Sequence, residues 1–398
     1  MNAVEILKDI YWVGCVDYDH YDFHGYSKSP EGTTYNAYFI KDEKNTLIDT
    51  VAPGKAGTLL CRLGHVIKPE QVDYLVINHM EPDHEGSLCE VISACKPEKI
   101  FCSTMALKSM AGYYGDKMKD WPVQAVKSGD KISIGKHTLV FQETRMLHWP
   151  DSMVTYCPEA KILFSQDAFG QNIAGTERFV DEHEHGDFIR RAKEYYFNIV
   201  LPYSPQVLKT LPVVRSLDID MIAPDHGLIS RNESVKEIID LYETMAEQKP
   251  RKRAVIIYDT MWHSTEQMAY AVCSGFEDNG VPATVMSCKA NHHSAIMTAL
   301  SDASCLVVGS PTHNNTILPY VMSALTYIKG LRPKILVGGA YGWSGESPKV
   351  LQQFLADMKI ELPCEPVRVN WRPGHEGLKK AYELGASLAK ALKAKCGE

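Results

Sequence analysis

DYLVINHMEPDHEG, residues 73–86, runs from an apolar stretch directly into a loop crowded with potential metal ligands. The run ending at His79 reads as a strand, so the loop sits at a strand's C-terminal end, where rigid scaffold meets solvent and sites collect. His79, Glu81, Asp83 and His84 follow within six positions. A lone histidine such as His65 or His137 is most often a surface or core residue. Four ligand-type residues this close serve no packing purpose and would repel one another if buried without a cation.

Three more apolar runs end the same way. FQETRMLHWPDSM (141–153) delivers His148, KILFSQDAFG (161–170) delivers Asp167, and MIAPDHG (221–227) delivers His226. With the first loop, that is three or four histidines and three carboxylates, enough for two metal ions. The strands in this half come in neighbouring pairs: TYNAYFIKD with TLIDT, KISIG with HTLVFQET, MVTYC with KILFSQD. Helices such as LCEVISAC are interspersed, so the expected fold is an α+β sandwich built on two sheets.

The pattern changes at AEQKPRKRAVIIYDT (246–260). A helical stretch ends at Pro250, basic residues follow, and an apolar strand starts at Ala254. The join is placed at 249 to 252, giving domains 1–249 and 250–398. Beyond it, AVIIY, ATVMSC, CLVVGS, KILVGG and PVRVNW alternate with helical stretches such as KVLQQFLADMKI. Five βα units imply a parallel α/β sheet, doubly wound by right-handed crossovers.

In such a sheet, ligands bind beyond the strands' C-terminal ends where strand order reverses. Three loops there are unusual. The first carries Thr260, Met261, Trp262, His263, Ser264 and Thr265; the second Ser310, Pro311, Thr312, His313, Asn314 and Asn315; the third Ala340, Tyr341, Gly342, Trp343, Ser344 and Gly345. Hydroxyls and free N–H groups at a helix start cradle phosphate, and aromatic faces with small residues suit a flat ring. Ser264 and Thr265 could simply cap a helix, but capping does not account for three such loops. Neither a G-x-G-x-x-G nor a G-x-x-x-x-G-K-[ST] loop is present, which argues against NAD in a Rossmann site and ATP in a P-loop.

Composition narrows the class. The 398 residues are 45% hydrophobic and 23% charged, which is globular. A net charge of −7 disfavours non-specific nucleic-acid binding. No run approaches a membrane span and the start lacks a signal pattern, so no membrane association is expected. Eleven cysteines without a C-x-x-C pair read as reduced thiols of a cytoplasmic protein, with no thiolate iron site and no appended rubredoxin module.

The spacing H-x-E-x-D-H with distant His, Asp and His resembles the metallo-β-lactamase superfamily, whose zinc hydrolases carry histidine where this chain has Glu81. Replacing imidazole by carboxylate hardens the site toward iron or manganese, and the mixture suits two irons better than two zincs. The second domain resembles flavodoxin, which holds FMN with the same three loops, although the first loop lacks flavodoxin's glycine. The combination resembles the flavodiiron protein (A-type flavoprotein) family along essentially the whole chain, through FHGY, GTTYNAY, MLHWPDSM, FGQNIA, KEYY, YDTMWHST, GSPTHNN, GLRP and GWSGE. Members served by rubredoxin in anaerobic sulfate reducers look nearest.

That resemblance implies an N-terminal αββα sandwich and a C-terminal flavodoxin-like sheet of five strands. It implies His79, Glu81 and His148 on one iron, Asp83 and His226 on the other, and Asp167 bridging. His84 would be a weak ligand or a group just behind the ligands, and His24 and Tyr195 would line the pocket and supply hydrogen bonds or protons. A purely structural Tyr195 is the alternative. Two irons and FMN would reduce dioxygen to water, nitric oxide to nitrous oxide, or both, with electrons from a rubredoxin. A sandwich beside a doubly wound domain would separate flavin from iron within one chain, and the resemblance implies that a head-to-tail homodimer, or a larger assembly of it, brings each flavin to its partner's irons. Two other readings compete: a binuclear zinc hydrolase with a regulatory flavodoxin domain, and an electron carrier whose metal is only structural.

Overall fold

Short, buried strands build the first unit of this computed structural model, which describes residues 1–397. That unit comprises Met1–Gly25, Ser29–Tyr196 and Tyr203–Ala246. Its seven-stranded sheet has the order Val4–Leu7, Ile10–Trp12, Tyr38–Ile40, Thr46–Ile48, Tyr74–Ile77, Lys99–Ser103, Val123–Val126. Its six-stranded sheet has the order Lys131–Ser133, Thr138–Glu143, Met153–Cys157, Ile162–Gln166, Met221–Pro224, Ser230–Arg231.

The three strand pairs read from the sequence are all antiparallel neighbours here. Trp12, Tyr38 and Phe101 from one sheet meet Phe141 and Phe164 from the other in a shared core. A second core joins the first sheet to the helices Ala56–Leu63, Leu88–Cys95 and Thr104–Tyr114 through Leu59, Leu88, Val91 and Met110. Those helices are crossovers between parallel strands, because Thr46–Ile48, Tyr74–Ile77, Lys99–Ser103 and Val123–Val126 all run the same way. Strand pairing in the sequence shows only the hairpins; this half of the sheet is βαβ. Tyr74–Ile77 is therefore a central strand held on both sides. Each fully buried aliphatic or aromatic side chain around it contributes roughly 1.5–3 kcal/mol, so the loop after it leaves a stiff base.

The second unit comprises Tyr26–Lys28, Phe197–Pro202 and the chain from Glu247. The two short excursions carry no periodic signal. Its five strands are parallel in the order Ala283–Ser287, Ala254–Tyr258, Cys305–Ser310, Val337–Trp343, Val367–Val369. Order reverses between Ala254–Tyr258 and Cys305–Ser310, which is the switch point where such sheets bind ligands. The helices Ser264–Glu277 and Gly374–Lys395 share one face of the sheet through Val272, Phe276, Ala381 and Leu388.

One element departs from expectation. The fourth strand starts three residues later than KILVGG suggests and continues through Trp343, so Ala340–Trp343 are strand rather than loop. Glycine marks close approach here: a Cβ on Gly342 would lie 2.1 Å from the Ser310 carbonyl oxygen. No helix among the described residues is long and apolar enough to cross a membrane.

Candidate metal centre and cofactor pocket

Asn78 ends the Tyr74–Ile77 strand and is fixed on Asp49, its N–H and side-chain amide each donating over 2.7 Å to a different carboxylate oxygen. Pro82 then starts a single helical turn, Pro82–Glu85, with Glu81 as the extended residue before it. Gly86 closes the turn where a Cβ would meet the Pro82 carbonyl oxygen at 2.3 Å. This strand–turn geometry aims His79, Glu81, Asp83 and His84 into one place.

The other loops converge on it. His79, Glu81, His148 and Asp167 are buried with one ligand atom each within 4.8 Å of the others, and Asp83, His84 and His226 form a second such group. Asp167 is shared. Its Oδ2 lies 2.9 Å from His148 Nε2 and 3.2 Å from His79 Nε2, while its Oδ1 lies 2.9 Å from His84 Nε2 and 3.4 Å from His226 Nε2. Glu81 Oε2 faces only the first group, 3.0 Å from His148 Nε2 and 3.1 Å from His79 Nε2. Asp83 Oδ2 faces the second, 3.2 Å from His226 Nε2. Edges of about 3 Å are what bonds of about 2.1 Å at right angles to a common centre produce, so both groups fit a metal ion.

His84, read from the sequence as standing at the edge of the ligand set, has its Nε2 inside the second group. His24 and Tyr195 lie beside the centre. His24 Nε2 is 2.6 Å from Glu81 Oε1. The Tyr195 hydroxyl is buried without a hydrogen-bond partner, and its ring stands 5.9 Å from that of His226.

The histidines are oriented from behind. His226 Nδ1 donates to the Thr34 carbonyl oxygen at 2.7 Å, which leaves Nε2 for a metal. His79 Nδ1 lies 3.5 Å from Asp151 Oδ1, and His84 Nδ1 lies 3.6 Å from Asp225 Oδ2. Such backing carboxylates set tautomer and basicity. Sequence reading missed Asp151 and Asp225, although both stood in the quoted motifs, three residues after His148 and one before His226.

Charges without an ion are strongly coupled. Burial alone would raise the Glu81 carboxyl, but hydrogen bonds from His148, His24 and His79 hold it far below the usual carboxylate range. Asp167 is likewise held low against burial, chiefly by the charge of His84 and the bond from His148. Burial would lower His148, yet Asp167 and Glu81 push it up to about 9.

In the second unit a cavity of about 450 Å³ opens at the switch point, lined by Thr260, Met261, Trp262, Ser264, Thr265, Pro311, Trp343, Trp371 and Arg372. That is within the usual range for small-molecule sites. Ser264 and Thr265 open the Ser264–Glu277 helix, whose first N–H groups have no intrahelical acceptor. Trp343 and Trp371 rings lie 5.6 Å apart, and Trp262 and Trp371 are 86% and 77% exposed, an apolar surface suited to a bound ring. The pocket therefore fits a flat ring bearing phosphate.

Several expected residues have contacts within the protein itself. Tyr341 is buried in the apolar core, because successive strand residues face opposite sides of the sheet. Ser310 accepts from the Leu318 N–H, and Thr312 donates to the Trp343 carbonyl oxygen, tying two loops together. His263 pairs with Glu266 at 2.7 Å. Ala340, Gly342, His313, Asn314, Asn315, Ser344 and Gly345 do not line the cavity. Trp371 and Arg372 do, and the sequence reading overlooked this loop after the fifth strand, although an aromatic and a cation at a strand's C-terminal end were a usable signal.

Comparison with known proteins agrees with both halves. Residues 33–227 match the ODP family beta lactamase and residues 256–385 match flavodoxin. The chain is 49% identical to rubredoxin-oxygen oxidoreductase of Megalodesulfovibrio gigas over 99% of each chain, and 42% identical to nitric oxide reductase of Moorella thermoacetica over 98% of each. The solved structure of the flavodiiron protein from Giardia intestinalis superposes with a TM-score of 0.95 at 32% identity, covering 100% of this chain and 98% of that one. The first two are named as an oxidoreductase and a reductase and the third as a flavodiiron protein, against the zinc-hydrolase alternative. With two-domain architecture, divided ligand set and full-length similarity in agreement, the chain belongs to the flavodiiron protein family.

Proposed function

We propose that the protein is an oxidoreductase that reduces dioxygen to water, nitric oxide to nitrous oxide, or both, at a pair of iron ions fed by FMN. The observation that carries this is Asp167, whose two oxygens face separate ligand groups, one of which includes Glu81 in place of a histidine. His79, Glu81 and His148 would hold one iron, and Asp83, His84 and His226 the other. Thr260, Ser264, Thr265, Trp343, Trp371 and Arg372 would hold FMN. Bound there, the irons supply one-electron redox changes and open positions for a diatomic gas, and FMN stores two further electrons.

The chain's own groups prepare that chemistry. His24 holds its Nε2 proton against Glu81 Oε1, which leaves Oε2 turned toward His79 and His148. Burial keeps the Tyr195 hydroxyl far above its ordinary pKa, so it stays protonated and can donate to a substrate oxygen. Phe23 and Tyr35 pack edge-on to His226 and exclude water from that side.

Electrons come from a rubredoxin-type protein. The exposed Trp262 and Trp371 rim the pocket, and the basic run 249–253 offers a docking charge. The working form is a head-to-tail homodimer, and the compartment is the cytoplasm, in keeping with eleven free thiols. Anaerobic turnover with each gas and one fixed donor tests the reading. Gas consumption without peroxide is expected. Reduced flavin with neither gas consumed would leave an electron carrier instead.

A further inference from the structure

On the first unit, away from the metal ligands, two arginines share one indole. Arg62, in the last turn of Ala56–Leu63, lies with its guanidinium carbon 4.6 Å from the centre of the Trp12 ring, and that of Arg178 lies 4.4 Å from the same ring. Trp12 is buried and anchored by its Nε1 donating to Asn36 Oδ1 at 2.7 Å. Arg178 is 94% buried, being 6% exposed.

Buried cations are normally paired with carboxylates. Among the described residues, neither guanidinium has a carboxylate oxygen within 4.0 Å. Arg62 donates to the Asn2 carbonyl oxygen and Arg178 to that of Gly175, and Arg62 Nε is buried with no partner at all. Tyr18, Tyr38 and Glu177 act on Arg178 electrostatically, Glu177 from beyond ion-pair distance. Burial depresses the pKa of both arginines, and the charge of Arg62 depresses that of Arg178 further. Cation–π contact with Trp12 contributes about 0.5–2 kcal/mol per guanidinium, which does not offset placing two like charges side by side, one of them buried and the other half-buried.

A cavity of about 360 Å³ opens beside them, its lining including Arg62, Arg178, Thr58, Thr176, Tyr18 and Val16. Two guanidiniums, each with one terminal N–H on a backbone carbonyl and further N–H donors left over, together with two hydroxyls match a doubly charged tetrahedral oxyanion better than a single carboxylate. We propose that this cavity binds a phosphate group, either inorganic phosphate or the phosphate of a small phosphomonoester, at a site separate from both the metal centre and the flavin pocket.

The test is calorimetric titration of iron- and FMN-loaded protein, so that neither cofactor site is open to the probe. Inorganic phosphate and phenyl phosphate are titrated in parallel. Saturable binding of at least one, at one site per chain, is expected; tighter phenyl phosphate identifies a phosphomonoester ligand, and equal or tighter inorganic phosphate identifies the free ion. Arg62→Gln, at a half-exposed helix position, should weaken binding at least about tenfold, the scale of a lost charged hydrogen bond. Arg178→Lys keeps the charge and loses the fork, and should weaken it measurably while flavin and iron contents stay at wild-type levels. Absence of saturable binding, or binding that Arg62→Gln leaves unchanged, would overturn the proposal.

Discussion

His24 Nε2 lies 2.6 Å from Glu81 Oε1, so the carboxylate that separates this cluster from an imidazole-rich one is itself held by a histidine. The contact ties residues 23–25 to the turn at 81–86. It leaves Glu81 Oε2 facing His79 and His148.

Removing that contact should separate activity from assembly. His24→Ala leaves Glu81 Oε1 without its partner but removes no ligand. Iron content should stay near two per chain while turnover falls roughly tenfold, as expected for loss of a charge-assisted hydrogen bond. Unchanged turnover, or loss of half the iron, would contradict this role.

The backing carboxylates should act on affinity. Asp225→Asn alters the group 3.6 Å from His84 Nδ1, and Asp151→Asn the group 3.5 Å from His79 Nδ1. Metal affinity should drop roughly 10- to 100-fold with the fold intact by circular dichroism. Chelator competition measures it, and an unaltered affinity in both variants would show that these carboxylates only fill space.

Metal-free protein should show a distinctive pH profile. His148 is raised from its ordinary 6.5 to about 9, so its stabilising contribution is complete below about 6.5 and lost as pH rises through about 9. Glu81 and Asp167 are held low, so their contribution is present above the ordinary carboxylate range and lost as pH falls below it. The Tm of chelator-treated protein should therefore decline on the alkaline side near pH 9. Iron-loaded protein, whose ligands are already deprotonated, should not show that decline. Identical profiles for the two forms would refute the assignment.

The flavin pocket makes its own prediction through a residue absent from the sequence reading. Trp371→Ala removes one of the two indoles that stand 5.6 Å apart, and should weaken FMN binding about tenfold on the scale of aromatic stacking. Tyr341→Phe, in the core, should leave FMN affinity unchanged. The reverse order would move the ring site off this cavity.

What the sequence revealed follows from where the chemistry is local. His79, Glu81, Asp83 and His84 could be read as one site because a single turn carries them, and His148, Asp167 and His226 because each ends an apolar run. The shared role of Asp167 cannot be read that way, since it depends on which loops face each of its oxygens. Asp151 and Asp225 escaped notice because their partners are histidine nitrogens on other loops. The apolar run KILVGG suggests a strand that ends at Gly339, whereas the strand continues through Trp343, with Gly342 close against Ser310 of the neighbouring strand. Trp371 was hidden by the short Val367–Val369 strand, whose loop shows no Gly- or Ser-rich marking.

The most direct test of the central claim, that Asp167 joins two irons which reduce a gas with flavin electrons, is the stoichiometry of a single turnover. Protein loaded with iron and FMN is reduced to four electrons per chain under anaerobic conditions, then mixed with measured dioxygen while peroxide is assayed. Uptake of one dioxygen per chain with no peroxide is expected, and Asp167→Asn should lose it while FMN stays bound. Peroxide released in proportion to the dioxygen consumed, or full uptake in the Asp167→Asn variant, would contradict the claim.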